Sequence, residues 1–241
     1  MNKYFGGIYH ALALMHHAYA MKYTSEIEFN KSSDLRVTEM ETFGFRYFTS
    51  WNMIIQTVFL VFAVTADVLH LFPESFRKYE KTLLKLKGYI FTTLMFPCTL
   101  FVCGMFWGVY TINREWVFPA VLDGVFPEWL NHSMHTNILI PVIIEILITN
   151  HLLPSFKAAF IGLSVFILIY DILFFFTYYE YGRWLYGLFY VFTWEERIVF
   201  MILNYLTIVF IMKTGIIIQY FAGKCKNNLF QNSKLKLTKE L

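Results

Sequence analysis

Residues 129–136 read Trp129-Leu130-Asn131-His132-Ser133-Met134-His135-Thr136, which sets two imidazoles and an amide in a stretch otherwise apolar enough for lipid. A neutral imidazole carries one proton-accepting nitrogen, so it can serve as a general base or as a metal ligand. Titratable side chains inside a bilayer are costly, and where they occur a functional site is the default reading. A hydroxyl is a natural partner, and Thr49 in Phe48-Thr49-Ser50-Trp51-Asn52 supplies one. With an imidazole at the same depth, such a hydroxyl becomes a nucleophile: the ring takes its proton and the oxygen attacks a carbonyl. His132 lies one turn from His135, and Asn131 one turn from it in the other register, where its side chain can fix the imidazole tautomer. Asn52, one turn after Thr49, joins Asn131 and His132 as a candidate to line a polar path for water or to hold and orient a substrate oxygen.

Each of these groups also has a plainer use. A threonine in a membrane helix commonly bonds the carbonyl one turn back, and Ser50 and Thr57 offer hydroxyls of the same kind. A buried histidine or asparagine can simply bridge helices, at about 0.6 kcal/mol per hydrogen bond. Spacing alone therefore supports a polar site and leaves the reaction open.

The elements that must position these residues are membrane helices. The chain has 241 residues, 57% of them hydrophobic, 20% aromatic and only 15% charged, with a mean hydropathy of +0.50. A soluble globule of this size carries more charge and fewer long apolar runs. A hydrocarbon core of about 30 Å needs roughly 20 apolar residues as a helix. Residues 4–21, 49–71, 88–111, 137–149 extended backwards through the histidine cluster, 156–179 and 198–223 are the candidate spans. The expected fold is all-α, a polytopic bundle of about six transmembrane helices. It forms one domain over residues 1–223, followed by a polar cytosolic tail over 224–241 that is disordered or surface-bound. The first window is short and carries His10, His16 and His17. Ala18-Tyr19-Ala20 resembles a signal-peptide cleavage site, but an apolar core interrupted by histidines favours a retained span whose histidines face the bundle.

Lysine and arginine counts set the orientation. Arg77, Lys78, Lys81, Lys85 and Lys87 fall between spans two and three, and Lys224, Lys226, Lys234, Lys236 and Lys239 after span six. Six spans put both segments and the N-terminus on one side, which should be cytoplasmic. Arg114, Glu115, Asp123 and Glu128 then face outside or a lumen, in the endoplasmic reticulum or the plasma membrane. The formal charge of +3 is split between membrane-flanking segments, where it favours anionic lipid rather than nucleic acid. Residues 76–86 read either as an amphipathic stretch on the cytosolic surface or as a solvated basic loop.

Three cysteines make no disulfide framework. Cys98 and Cys103 pack as small apolar residues. Cys225 is a juxtamembrane thiol, either idle or open to palmitoylation. There is no Gly-rich phosphate loop, Cys-x-x-Cys pair or His-Glu-x-x-His. Neither an inverted repeat nor a matched pair of broken helices points to a transporter. With no loop long enough for a soluble domain, any chemistry must act on a membrane-soluble molecule or an ion.

On the strings Trp129-Leu130-Asn131-His132-x-Met134-His135-Thr136, Phe48-Thr49 leading to Ile55-Gln56-x-Val58-Phe59, Phe96-Pro97, Phe106-Trp107, and Arg114-Glu115 with Pro119 and Leu122-Asp123, the chain resembles the androgen-induced protein / androgen-dependent TFPI-regulating protein family. The similarity runs through nearly the whole chain from Phe48. The resemblance implies a multi-pass membrane hydrolase of fatty acid esters of hydroxy fatty acids, with a threonine nucleophile and a histidine base at Thr49 and His135, and no cofactor. Its partners are then the lipid ester and the surrounding membrane lipids. Two departures concern substrate range: Asn113 stands where the family often has Asp, and Trp184-Leu185-Tyr186-Gly187 replaces a Trp-x-Tyr-Pro string. The physical reading agrees on depth. Thr49 opens span two and His135 the equivalent part of span four, both in the outer leaflet, where first-turn N–H groups carry partial positive charge for an oxyanion.

The alternative is a histidine-ligated haem or metal redox protein. His16 or His17 would meet His132 or His135, and His70 would meet His151. A visible spectrum of the purified protein separates the two. The hydrolase expectation is no Soret band, and a Soret band would favour the redox reading.

Overall fold

A computed structural model describes residues 3–237 of the chain. All regular structure among the described residues is helical. The elements are α1 (Lys3–Glu26), α2 (Leu35–Phe43), α3 (Phe48–Leu69), α4 (Arg77–Ile90), α5 (Phe96–Asn113), α6 (Glu128–His135), α7 (Leu139–Ile148), α8 (Phe156–Tyr181), α9 (Leu188–Val191) and α10 (Trp194–Leu237). Central to the bundle is α3, which packs against α1, α4 and α5 and touches α6. The outer wall is α8 and α10, with α10 lying along α5.

Among the described residues, four rods are long and apolar enough to cross a membrane: α3, the run Arg77–Trp116, α8, and residues 194–228 of α10. Only 17% of the apolar window of α10 is buried, and Ile198, Ile202, Leu206 and Phe210 stand exposed along it. So much uncovered apolar surface requires a hydrocarbon surround. The other two expected spans each miss one criterion. With 24 residues α1 is long enough, but it is diluted by polar side chains; its His10 and His17 are buried.

Span four differs most from expectation. It is two short helices, α6 of 8 residues and α7 of 10, rather than one rod through the histidine cluster. Proline explains the restart. A helix continued through residue 141 would need an N–H that Pro141 lacks, and its ring would press on the carbonyl of Asn137. A helix that begins just before Pro141 avoids both problems, since first-turn N–H groups have no intrahelical partner anyway. The interrupted backbone is held by side chains. Trp107 Nε1–H donates to Thr136 Oγ1 at 3.0 Å, and Gln56 Nε2–H donates to the Ile138 carbonyl at 3.3 Å.

A second irregularity joins α4 to α5 as a π-helical turn, Phe91–Met95. Pro97 sits at the start of α5, and a wider turn ahead of it absorbs the lost hydrogen bond. The basic stretch between spans two and three is accordingly helix rather than loop. It exposes Tyr79, Leu84 and Leu86, while the side chain of Phe76 lies outside what the structure describes. The expected tail also begins as helix, because α10 runs on to Leu237; residues 238–241, with Lys239, lie outside the described residues.

Lys87, counted above with the surface lysines, is only 4% exposed. Its Nζ lies 2.8 Å from Glu145 Oε1 on α7. Glu145 is fully buried, and its carboxylate also meets His10 Nε2 at 2.8 Å and His151 Nε2 at 3.2 Å. The other nitrogen of His10 reaches Asp67 at 2.6 Å. One carboxylate thus ties α1, α4 and α7 together, and Lys226 of α10 adds hydrogen bonds to the carbonyls of Ile146, in the last turn of α7, and of Thr149, just after it. Removing one member of such a buried set leaves the others charged and unpaired, at about 3–5 kcal/mol. Glu145→Leu should therefore lower unfolding stability in detergent by about that amount, and adding Lys87→Met should recover part of it. An unchanged melting profile for Glu145→Leu would mean the cluster does not hold these helices.

Candidate functional site

Thr49 is the second residue of α3, and this position decides what its hydroxyl can do. A helical threonine normally turns its hydroxyl to the carbonyl one turn back. For Thr49 that carbonyl belongs to Phe45, and it accepts instead from Trp51 Nε1–H at 3.0 Å. The competing hydroxyls are engaged with backbone. Ser50 O–H donates to the Gly44 carbonyl at 2.6 Å, and Thr57 O–H to that of Met53 at 2.8 Å. Thr49 Oγ1 faces His135, 3.2 Å from Nε2.

His135 is the last residue of α6 and is buried. Its Nδ1 lies 3.0 Å from the Asn131 carbonyl and 2.8 Å from Asn131 Oδ1. A carbonyl can only accept, so Nδ1 carries the proton and Nε2 is left as the acceptor facing Thr49. The ring lies flat on Phe106, with centroids 3.5 Å apart and planes at 11°. The sequence strings contained Phe106 without showing what it does.

The other polar candidates go elsewhere. Asn52 is fully buried and accepts from Thr99 O–H at 3.0 Å. Gln56 Nε2–H donates to Thr99 Oγ1 at 2.8 Å, and Gln56 Oε1 lies 2.9 Å from His17 Nε2. This is an interhelical network joining α1, α3 and α5. His132 packs on the Trp107 indole, with centroids 5.3 Å apart, and its Nδ1 lies 3.1 Å from Thr136 Oγ1. Neither Asn52 nor His132 lines the two cavities that Thr49 borders. Asn131, behind the imidazole, orients it.

Thr49, Phe106, Trp116, Val117 and Tyr186 belong to the walls of both cavities. One, of about 150 Å³, runs among α3, α5, α8 and α10 between mostly apolar side chains, with Asp171 and Asn204 among the polar ones. The other, of about 510 Å³, extends under α2 and the loops beside it and includes His135, with Arg36, Glu39 and Glu115 among its charged residues. Arg36 pairs with Glu115 at 3.2 Å and with Asp34 at 2.8 Å; hydrogen bonding to its guanidinium holds the Asp34 carboxyl below the ordinary range. Glu115 also accepts from the Ala120 N–H at 2.8 Å, and Arg114 meets Asp123 at 2.6 Å. The Arg114-Glu115 string therefore braces the loop that roofs the wide cavity. Gly187 permits the approach of the opposite wall, since a Cβ there would sit 2.8 Å from the Glu115 carbonyl.

The histidine pairs that a haem would need do not form. His16 Nε2 lies 3.3 Å from Ser133 Oγ, and His17 meets Gln56. His70 pairs with Glu80 at 2.8 Å, while His151 meets Glu145 and stacks on Phe91. Among the described residues, no group of three or more His, Cys, Asp or Glu side chains is arranged to hold a metal ion.

The chain is 33% identical to the androgen-dependent TFPI-regulating protein of Homo sapiens over 184 residues, 76% of this chain and 77% of that one. The protein of the same name from Mesocricetus auratus is 34% identical over 144 residues, 60% of this chain and 62% of that one. The androgen-induced gene 1 protein of Homo sapiens is 30% identical over 153 residues, 61% of this chain and 64% of that one. These last two alignments span a little under two thirds of those relatives. No solved structure matches. With the model of the FAR-17a/AIG1-like proteins matching residues 5–220, the chain belongs to that family of membrane proteins.

Proposed function

We propose that the protein is a membrane hydrolase of lipid esters, cleaving fatty acid esters of hydroxy fatty acids with Thr49 as nucleophile and His135 as base. The observation that carries this reading is the hydroxyl–imidazole contact of 3.2 Å, backed by Asn131 at 2.8 Å, in a wall shared by two cavities. An ester has two arms that diverge from its carbonyl. A nucleophile between two cavities can reach that carbonyl while each arm has its own space.

In acylation, His135 Nε2 accepts the Thr49 proton as Oγ1 bonds to the ester carbon. The tetrahedral intermediate collapses by breaking the bond to the alcohol oxygen, and the imidazolium returns its proton to that leaving oxygen. The acyl group remains on Thr49. Water then attacks the acyl carbon, giving a proton to Nε2. The Thr49 oxygen leaves with that proton, freeing the fatty acid and restoring the starting state. The imidazolium forms at the C-terminal end of α6, where the negative pole of the helix dipole favours positive charge. The N–H of Thr49 itself, in the first turn of α3, is available to the developing oxyanion.

This reading places the site in the outer or lumenal leaflet, with α1 and the α6–α7 pair completing six crossings and both termini cytoplasmic. The lipid ester enters from the hydrocarbon layer.

Thr49→Ala and His135→Ala should each abolish hydrolysis of a fatty acid ester of a hydroxy fatty acid and labelling by an acylating activity probe, at unchanged membrane expression. Thr49→Ser should keep measurable activity because the attacking atom remains. Asn131→Leu removes one of the two acceptors of the His135 Nδ1 proton and should cost about tenfold, the equivalent of one hydrogen bond. Full turnover by both alanine variants would overturn the assignment.

A further inference from the structure

We infer that the Tyr186 hydroxyl is a catalytic hydrogen-bond donor, the side-chain half of the oxyanion site at Thr49; this rests on the hydrolase reading above. Tyr186 enters α3 at the residue before the nucleophile, its Oη accepting from the Phe48 N–H at 3.1 Å. Its hydroxyl also lies 3.3 Å from that of Tyr170. Like Thr49, Tyr186 belongs to the walls of both cavities, whereas Tyr170 borders only the narrow one.

Hydrogen-bond accounting leaves one proton over. The two phenols hold two protons between them and share one contact, and neither has any other acceptor among the described residues. A phenolic oxygen has room to accept about two hydrogen bonds while donating one. Phe48 N–H and Tyr170 O–H together fill the acceptor side of Tyr186. The Tyr186 proton is then free to point into the cavity wall beside Thr49. The reverse arrangement would leave the proton of Tyr170 only the narrow cavity to point into, whereas Tyr186 borders both, including the wide one that His135 lines. An unmatched donor is costly in a dry interior. The arrangement that turns it toward the cavities is favoured, and a carbonyl oxygen that gains charge there gives it a partner. Tyr186 O–H and the Thr49 N–H would then flank one oxygen, with His135 on the other side of Oγ1. The Phe48 and Tyr170 bonds to Tyr186 polarise its O–H further.

A rival account makes Tyr186 only an anchor for the N-terminus of α3. Thionoesters separate the two, because a sulfur in place of the carbonyl oxygen is a poor acceptor and gains little from an oxyanion donor. Full-length protein in proteoliposomes is assayed on a fatty acyl ester of a hydroxy fatty acid and on the matching thionoester. Tyr186→Phe should lower kcat on the oxygen ester by about 10²–10³-fold with KM nearly unchanged, and should shrink the ester-to-thionoester rate ratio. Tyr170→Phe should cost less than about tenfold, the worth of one indirect hydrogen bond. An anchoring role would slow both substrates equally, and an unchanged ratio overturns the inference. So does a larger loss in Tyr170→Phe than in Tyr186→Phe. If Tyr186→Phe fails to reach the membrane, 3,5-difluorotyrosine at position 186 keeps the shape and gives a more acidic donor. The ratio should then rise, and a constant ratio again overturns the inference. Thr49→Ala tests the underlying reading separately. Turnover in that variant removes the hydrolase mechanism, whereas an inactive Thr49→Ala with a constant ratio in Tyr186→Phe removes only the role of Tyr186.

Discussion

Asn131 holds the Nδ1 proton of His135 with two oxygens, the backbone carbonyl at 3.0 Å and the side-chain oxygen at 2.8 Å. Everything chemical about the site depends on this commitment. An imidazole with one nitrogen so engaged has a single lone pair to offer, and the ring stacked on Phe106 offers it in one direction. Both acceptors come from one residue four positions earlier, so the geometry needs only one well-formed helical turn. That α6 stops at His135 is part of the same arrangement. A straight helix through residue 141 would have carried the backbone away from Trp107 and Gln56, whose side chains now bond the break.

The opposite end of the bundle obeys the same constraint. Where water is scarce, polar atoms must be answered from within the protein. Glu145 gathers His10, Lys87 and His151, and Lys226 answers the Ile146 carbonyl in the last turn of α7. Between the two ends, His17, Gln56, Thr99 and Asn52 form a polar rung across α1, α3 and α5. Three polar layers thus register helices whose outer faces are nearly featureless hydrocarbon. Dispersion and apolar burial alone distinguish poorly between rotated or shifted packings of such helices, because lipid is as apolar as the side chains it would replace. A buried hydrogen bond between named partners does distinguish them.

The sequence made the all-helical membrane class legible, along with the two strings that hold Thr49 and His135, because apolar length and intramembrane polar groups are local signals. Hydropathy could not show that residues 137–149 form only a ten-residue helix, since an apolar stretch reads the same with or without a backbone break. Charge counting treated Lys87 as a surface residue because it takes each lysine alone, and the carboxylate that permits its burial is Glu145, on another helix. Asn52 and His132 were grouped with the site by helical spacing. Spacing fixes a face but not which neighbour that face meets, and here the neighbours are Thr99 and Trp107. Tyr186 stands in the Trp184-Leu185-Tyr186-Gly187 string, but nothing local ties it to Thr49: its bond to Phe48 spans 138 residues.

Why the proposed nucleophile should be the second residue of a helix follows from what the first turn lacks. Deeper in α3 a hydroxyl finds the carbonyl one turn back, as Thr57 does, and the bond holds it against the backbone. At Thr49 the corresponding carbonyl lies outside the helix, and the Trp51 indole occupies it. The hydroxyl therefore has no competing local acceptor, and the stiff β-branched side chain keeps it aimed at His135. The same first turn leaves backbone N–H groups without helical partners. Phe48 uses its own on Tyr186. The next, that of Thr49, lies beside the hydroxyl oxygen proposed to attack. A free hydroxyl and a free N–H on one residue are what acyl transfer asks of a nucleophile, and a helix provides both together only at its N-terminal end.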